Sequence, residues 1–240
     1  MRYLWLVLIL AACGSRETMV DYHAIAMNDS ISDEASSEAM IAPYRDSLEL
    51  TMNTILVQNK EELTRGIPES ALGNLISDLL LERAVTEMAD SLIPDFCLIN
   101  IGGLRVDLPQ GDITVSKVFE LMPFENELDI IKLSPQKMRE MFDYLKAKGG
   151  QPFSGMELKI SSNGYQCSIN DESLNESRSY YVVTSDYLAD GGDKMDFFKE
   201  SEVRIKTGIK IRDVIMDHFR VVGLSGNELE SQLDGRLVIE

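Results

Sequence analysis

Apolar residues recur at intervals of three and four from Ile41 to about Val57. Tyr44, Leu48, Met52, Ile55 and Leu56 share one side of a predicted amphipathic helix. The next segment, "PESALGNLISDLLLERAVTEMADSL", carries a second stripe of Leu72, Leu75, Ile76, Leu79, Leu80 and Ala84, with Ser70 as its cap. Gly73 inside it costs roughly 1 kcal/mol against Ala, which predicts close approach of another backbone or of a ligand. "DFCLINI" is apolar nearly throughout and predicts a strand covered on both faces. A short helix at "SKVFELM" and a strand at "ELDIIKLS" follow. "SPQKMREMFDYLKAKGG" begins with a Ser cap and a first-turn Pro, lines up Met138, Met141, Phe142 and Leu145, and stops at Gly149. Strands are predicted at "MELKIS", "YQCSIN" and "SYYVVTSDYL", the first two joined around Asn163-Gly164, and a closing helix at "IKIRDVIMDHFRVVG". Helices alternating with strands in this way predict an α/β domain, with mixed β-sheet layers flanked by helices, over residues 39–240. No repeat of solenoid period occurs.

The first residues change the setting rather than the fold. In "MRYLWLVLILAAC" a short basic start at Arg2 precedes an apolar run, Leu4 to Leu10, too brief for the roughly 20 residues a bilayer needs. Residues 1–12 read as an export leader. Leu10-Ala11-Ala12-Cys13 resembles a bacterial lipobox, which implies cleavage before Cys13 and a lipid on its thiol; an ordinary leader with an incidental Cys is the other reading. Residues 13–38, rich in Ser and acid and without a sustained period, read as a tether. The expected location is the bacterial cell envelope, lipid-anchored at the periplasm or outer membrane.

The formal charge of −17, from 40 acidic and 23 basic residues, repels polyphosphate backbones and excludes nucleic acid as a partner. A small anion can be held only where a local Arg reverses the field. Cys97 and Cys167 lie in predicted strands, where a thiol serves as a small core residue; pairing in an exported protein is the alternative. The two histidines, His23 and His218, form no metal-ligand spacing, and no HExxH, GxSxG or P-loop occurs. No catalytic residue and no cofactor are expected in this chain.

Two clusters break the pattern of pure structure. Asn100, Gly102, Gly103 and Arg105 follow a buried strand, where ligands tend to sit in α/β sheets; glycines admit a close neighbour and Arg offers a fork of donors. Tyr187-Leu188-Ala189-Asp190-Gly191-Gly192-Asp193 stands where another apolar strand runs out. Asp-Gly-Gly-Asp reads as a solvated turn, or as an aromatic that stacks on a flat ring beside a carboxylate that accepts from sugar hydroxyls.

"ESALGNLISD", "NIGGLR", "GDIT", "MPFEN" and "SDYLADGGD", in this order, resemble the signature blocks of the C-terminal domain of the 5'-nucleotidase family, over roughly residues 40–238. The resemblance implies an α/β unit that binds the nucleoside part of a nucleotide, while a separate metallophosphatase domain holds two divalent metals and hydrolyses the phosphate. By position it implies that Phe124 and Tyr187 sandwich the base, Asn100 bonds its edge, Arg105 meets ribose or phosphate oxygens, Asp193 accepts from ribose hydroxyls, and Gly102 and Gly103 let the ligand close in.

The departures matter too. The Gly-Asn-His and Gly-His-x-His blocks of the metallophosphatase do not occur, so hydrolysis by this chain alone is not expected. Pro68 replaces an Arg common before the Glu of "ESxLGN", removing a phosphate contact unless Arg65 reaches in. Ile101 replaces a common Gly, Glu125 another Gly and Asp190 an Asn. A lost cation and added acids predict that nucleosides bind at least as well as their monophosphates. Three roles stay open: the recognition subunit of a split 5'-nucleotidase acting with a separately encoded metallophosphatase, a stand-alone nucleoside-binding lipoprotein for scavenging, and an interaction module that binds no ligand.

Overall fold

The computed structural model describes residues 34–89, 92–199 and 201–240. The leader, Cys13 and most of the tether lie outside the described residues. The chain divides into two compact units, Met1–Arg45 and Asp46–Glu240. In the first, the residues from Ala35 open helix α1 (Ala35–Met52), whose last turns belong to the second. The tether predicted to reach residue 38 is therefore helical from Ala35. The helix also stops before the predicted Val57, because Thr54 gives its carbonyl to the Val115 amide at 3.0 Å and draws the chain into strand β1 (Ile55–Asn59). Three consecutive apolar residues satisfied the helical spacing as well as the extended one. Among the described residues no helix is long and apolar enough to cross a membrane.

The other elements of the second unit are α2 (Ala71–Met88), β2 (Phe96–Leu98), β3 (Gly111–Thr114), α3 (Val115–Leu121), β4 (Glu127–Leu133), α4 (Pro135–Lys148), β5 (Phe153–Ser154), β6 (Met156–Ser161), β7 (Gly164–Ile169), β8 (Glu172–Ser173), β9 (Tyr180–Ser185), α5 (Asp186–Ala189), β10 (Val203–Lys210), α6 (Ile211–Leu224), β11 (Glu228–Leu229) and β12 (Leu237–Ile239). Three sheets form, in the orders β11-β1-β3, β10-β4-β9-β2-β5 and β12-β6-β7-β8. The predicted caps are present: Ser70 Oγ accepts from the Gly73 amide, Ser134 Oγ from Lys137, and Gly149 ends α4 in the left-handed region at φ 75°. A Cβ on Gly73 would lie 2.8 Å from Ser70 Oγ and 3.1 Å from the Pro152 ring, so the close neighbour that Gly73 admits is a proline and a cap, not a ligand.

The central sheet is covered on both faces, as the unbroken apolar strands predict. Alternate residues enter different cores. Cys97, Leu128, Ile130 and Val183 join α2 and α6 on one side, with Leu72, Ile76, Leu80, Ile215 and Phe219. Phe96, Leu98, Ile131, Leu133 and Val182 face the other, with Met138, Phe142 and Leu145 of α4 and Leu158 of the third sheet. Cys97 and Cys167 are both free and pack against different cores. Burial pushes the Cys167 thiol up to about 12. Strands β3, β5, β8 and β10–β12 were not foreseen. Most are two to four residues long, too short to show a period, and β10 alternates only loosely, with charged residues on an exposed edge. The β6–β7 turn is Ser162-Asn163, with Gly164 already in the strand opposite Ser161; the β7–β8 turn uses Asn170 and Asp171 at φ 53° and 62°, the left-handed pair of a tight hairpin.

Candidate functional site

Strands β2 and β9 run parallel side by side and β4 runs antiparallel to β9, pairing Leu128 with Ser185. The C-terminal ends of β2 and β9 and the start of β4 therefore meet at one end of the central strands, the place where α/β sheets bind ligands. There lies a cleft of about 600 Å³ lined by Asn100, Gly102, Gly103, Arg105, Phe124, Glu125, Asn126, Tyr187 and Asp193. All seven residues singled out from the sequence line it. Three of the five sequence blocks, "NIGGLR", "MPFEN" and "SDYLADGGD", converge on it.

The other two blocks do structural work. Glu69 of "ESALGN" accepts from the Asn74 side chain at 2.7 Å and from the amides of Asp234 and Gly235 at 2.9 and 3.1 Å, fastening the C-terminal segment. Thr114 of "GDIT" caps α3 by accepting from the Lys117 amide. Pro68 does not line the cleft. Arg65 does not reach it either, since its Nε donates to Asp107 at 3.2 Å and its Nη1 to the Leu104 carbonyl at 2.9 Å.

Asp193 is the hub of the polar wall. Its carboxylate accepts from Asn100 Nδ2 at 2.6 Å and from the Tyr187 hydroxyl at 2.9 Å, and its carbonyl accepts from the Tyr144 hydroxyl at 3.0 Å. Together these bonds hold it at φ 51°, a left-handed conformation that Asp tolerates. Burial pushes the Tyr144 hydroxyl up to about 12, with the Asp193 carboxylate adding to it, so it stays a donor. Gly102 and Gly103 serve this wall directly: a Cβ on either would lie 3.2 or 3.1 Å from the Asn100 amide group.

The apolar walls are Phe124 and Tyr187, which remain 42% and 46% exposed, so each ring keeps part of its surface open to the cleft. Gly192 fixes the second. A Cβ there would lie 2.4 Å from two atoms of the Tyr187 ring. Gly192→Ala is therefore expected to swing the ring off the backbone and weaken ligand binding about as much as loss of the ring does, with the thermal midpoint nearly unchanged. Titration beside a thermal scan of the variant checks both halves.

The acids that depart from the family pattern are already matched. Glu125 pairs with Lys210 and Arg212, which hold its carboxyl down to about 2, so it stays ionised above that pH and its charge is met by two cations. Asp190 pairs with Arg204, which also bonds the buried Asp129 at 2.6 Å. Neither added acid argues against a phosphate, and Arg105, exposed and donating only to the Gly102 carbonyl at 3.2 Å, is the sole cation among the residues that line the cleft. His218 is half-buried on α6 and does not line it.

Sequence reasoning missed Tyr144, Asp186 and Arg212, which support the walls from behind. Arg212 carried a signal: Lys210 caps α6 and Arg212 stands in its first turn, the wrong end of a helix dipole for cations unless an acid outside the helix needs them.

The chain belongs to the family of the 5'-nucleotidase C-terminal domain, whose model matches residues 51–200. An apyrase from Tabanus yao is 25% identical over 194 residues, covering 69% of this chain and 35% of the apyrase. The 5'-nucleotidase of Vibrio parahaemolyticus is 23% identical over 208 residues, covering 81% of this chain and 35% of its own length. The chain thus spans about a third of these relatives. Among solved structures, the fold matches a 5'-nucleotidase precursor from Thermus thermophilus with a TM-score of 0.71 at 24% identity, over 85% of this chain and 43% of that one. The NAD nucleotidase of Haemophilus influenzae gives a TM-score of 0.63 at 16% identity, over 86% of this chain and 41% of that one.

Proposed function

We propose that this chain is the nucleotide-recognition part of a 5'-nucleotidase-type hydrolase. The base lies between Phe124 and Tyr187, with Asn100 at its edge. Ribose hydroxyls donate to Asp193, whose carboxylate has about four acceptor positions, two of them used by Asn100 and Tyr187. Arg105 receives the phosphate. The observation that carries this reading is the convergence of these residues, from three separate blocks, on one cleft with two half-exposed aromatic rings.

Among the described residues no three His, Cys, Asp or Glu side chains converge to hold a metal. We assign binding and orientation of the nucleotide to this chain, and the divalent metals and the hydrolysis to a separately encoded metallophosphatase subunit. The lipid at Cys13 is proposed to hold the pair at the bacterial envelope.

With the added acids neutralised, the monophosphate is expected to bind more tightly than the nucleoside. Calorimetric titration with adenosine and with AMP tests this. Arg105→Met is expected to weaken AMP about tenfold, the worth of a charge-assisted hydrogen bond, and to leave adenosine within about twofold. Binding of neither ligand by the unaltered chain would overturn the reading; equal losses for both ligands would remove Arg105 from the phosphate.

A further inference from the structure

The Phe124 ring has little to rest on. It is 42% exposed, and the Arg105 guanidinium passes 5.9 Å from its centroid. The loop beneath it is held instead from α6. Arg212, 8% exposed along its side chain, sends Nη1 toward the carbonyls of Met122 and Phe124 at 3.4 and 3.3 Å and pairs through Nη2 with Glu125. Its guanidinium carbon lies 4.1 Å from the Phe119 ring centroid, so the fork is clamped between an aromatic of α3 and the loop that follows it. Lys210 takes the other Glu125 oxygen, and the Ile211 amide donates to the Asn126 carbonyl at 3.0 Å. The far end of the loop is tied to the opposite wall: Asp186 Oδ1 accepts from Asn126 Nδ2 at 2.8 Å and from the Tyr187 amide at 2.7 Å.

We infer that Arg212 is the positioning residue of the Phe124 wall, acting through Glu125 and two loop carbonyls to set the width of the aromatic slot before ligand arrives. This rests on the nucleoside reading of the cleft. A planar fork is needed for the role, since one cation must serve two carbonyls and a carboxylate at once; a Lys at 212 keeps the charge and loses that geometry. Pre-ordering a side chain that would otherwise be immobilised on binding is worth about 0.5 to 1.5 kcal/mol, or roughly two- to twelvefold in affinity.

Two measurements on the full chain in detergent test it. The chain has one tryptophan, Trp5, so Phe124→Trp in a Trp5→Phe background places a lone reporter in the loop. Its fluorescence anisotropy is expected to fall when Arg212→Lys or Glu125→Gln is added. Glu125 is largely exposed, so its variant keeps the fold even if Arg212→Lys does not. On chains that keep Phe124, adenosine affinity is expected to drop about fivefold in both variants. Adenosine is uncharged, yet its binding to the unaltered chain is expected to weaken more than binding to Glu125→Gln between about 0.01 M and about 1 M salt, where the range of charges shrinks from about 30 to about 3 Å. A residue that only stabilises the fold would move neither that salt difference nor the anisotropy. Unchanged anisotropy with unchanged adenosine affinity in Glu125→Gln overturns the inference while leaving the nucleoside reading intact. Lowered anisotropy in chains that bind no adenosine supports the positioning role and overturns the reading.

Discussion

A Tyr187→Ala chain is expected to bind adenosine at least about tenfold more weakly than the unaltered chain, while unfolding at nearly the same temperature. Half of the ring is open to the cleft, so its removal takes one face of the base out of contact. Covering such a ring is worth about 1 to 2 kcal/mol and offset stacking adds about 0.5 to 1.5, so a loss near 1.5 kcal/mol, roughly tenfold, is the lower expectation. The hydroxyl adds a second effect. It donates to Asp193 and accepts from the Asp193 amide at 3.2 Å, so its loss also frees the carboxylate proposed to meet the ribose. Tyr187→Phe separates the two: it keeps the stacking face and is expected to lose only a few-fold. Calorimetric titration beside a thermal scan reads both variants. Unchanged adenosine affinity in Tyr187→Ala would leave the ring as surface decoration.

Phe96→Ala carries the largest expected effect on stability. Phe96 is fully buried in β2, facing the core formed with α4 and the third sheet. Truncating a buried Phe costs about 3 to 5 kcal/mol through lost transfer energy and the cavity left behind. For a chain of this size that corresponds to a fall of roughly 10 °C in the midpoint. Phe124→Ala is the natural control, because the same side chain, 42% exposed at the cleft, is expected to leave the midpoint within about 2 °C. A small loss in Phe96→Ala would mean that this face of the sheet repacks, and with it the account of two separate cores would fail.

Much of this cleft is legible in the amino-acid sequence. Short motifs at strand ends survive as local chemistry: a turn with two glycines and an Arg, an aromatic six residues before an acid. What could not be read is where side chains from distant segments land. Glu125 read as a charge added beside a phosphate, yet residues 85 and 87 positions further along neutralise it. Gly73 read as an opening for a ligand, yet Pro152 fills it. The central strands were legible because burial on both faces leaves an apolar run. The short and edge strands were not, because pairing with a partner defines them more than composition does. Arg212 was hidden for the same reason, its three partners lying in a loop some 90 residues upstream.

Strand β11 pairs with β1 in the first sheet and β12 pairs with β6 in the third. Between them Arg236 bonds both oxygens of Asp78 and the carbonyl of Phe153, and Glu69 holds the Asp234 and Gly235 amides. A dozen residues near position 230 thus stitch together sheets begun early in the chain. During synthesis the N-terminal strands emerge long before their last partners, so assembly cannot finish piecemeal. The native topology closes only after residues 228–239 have been made, and until then two of the three sheets stand one strand short.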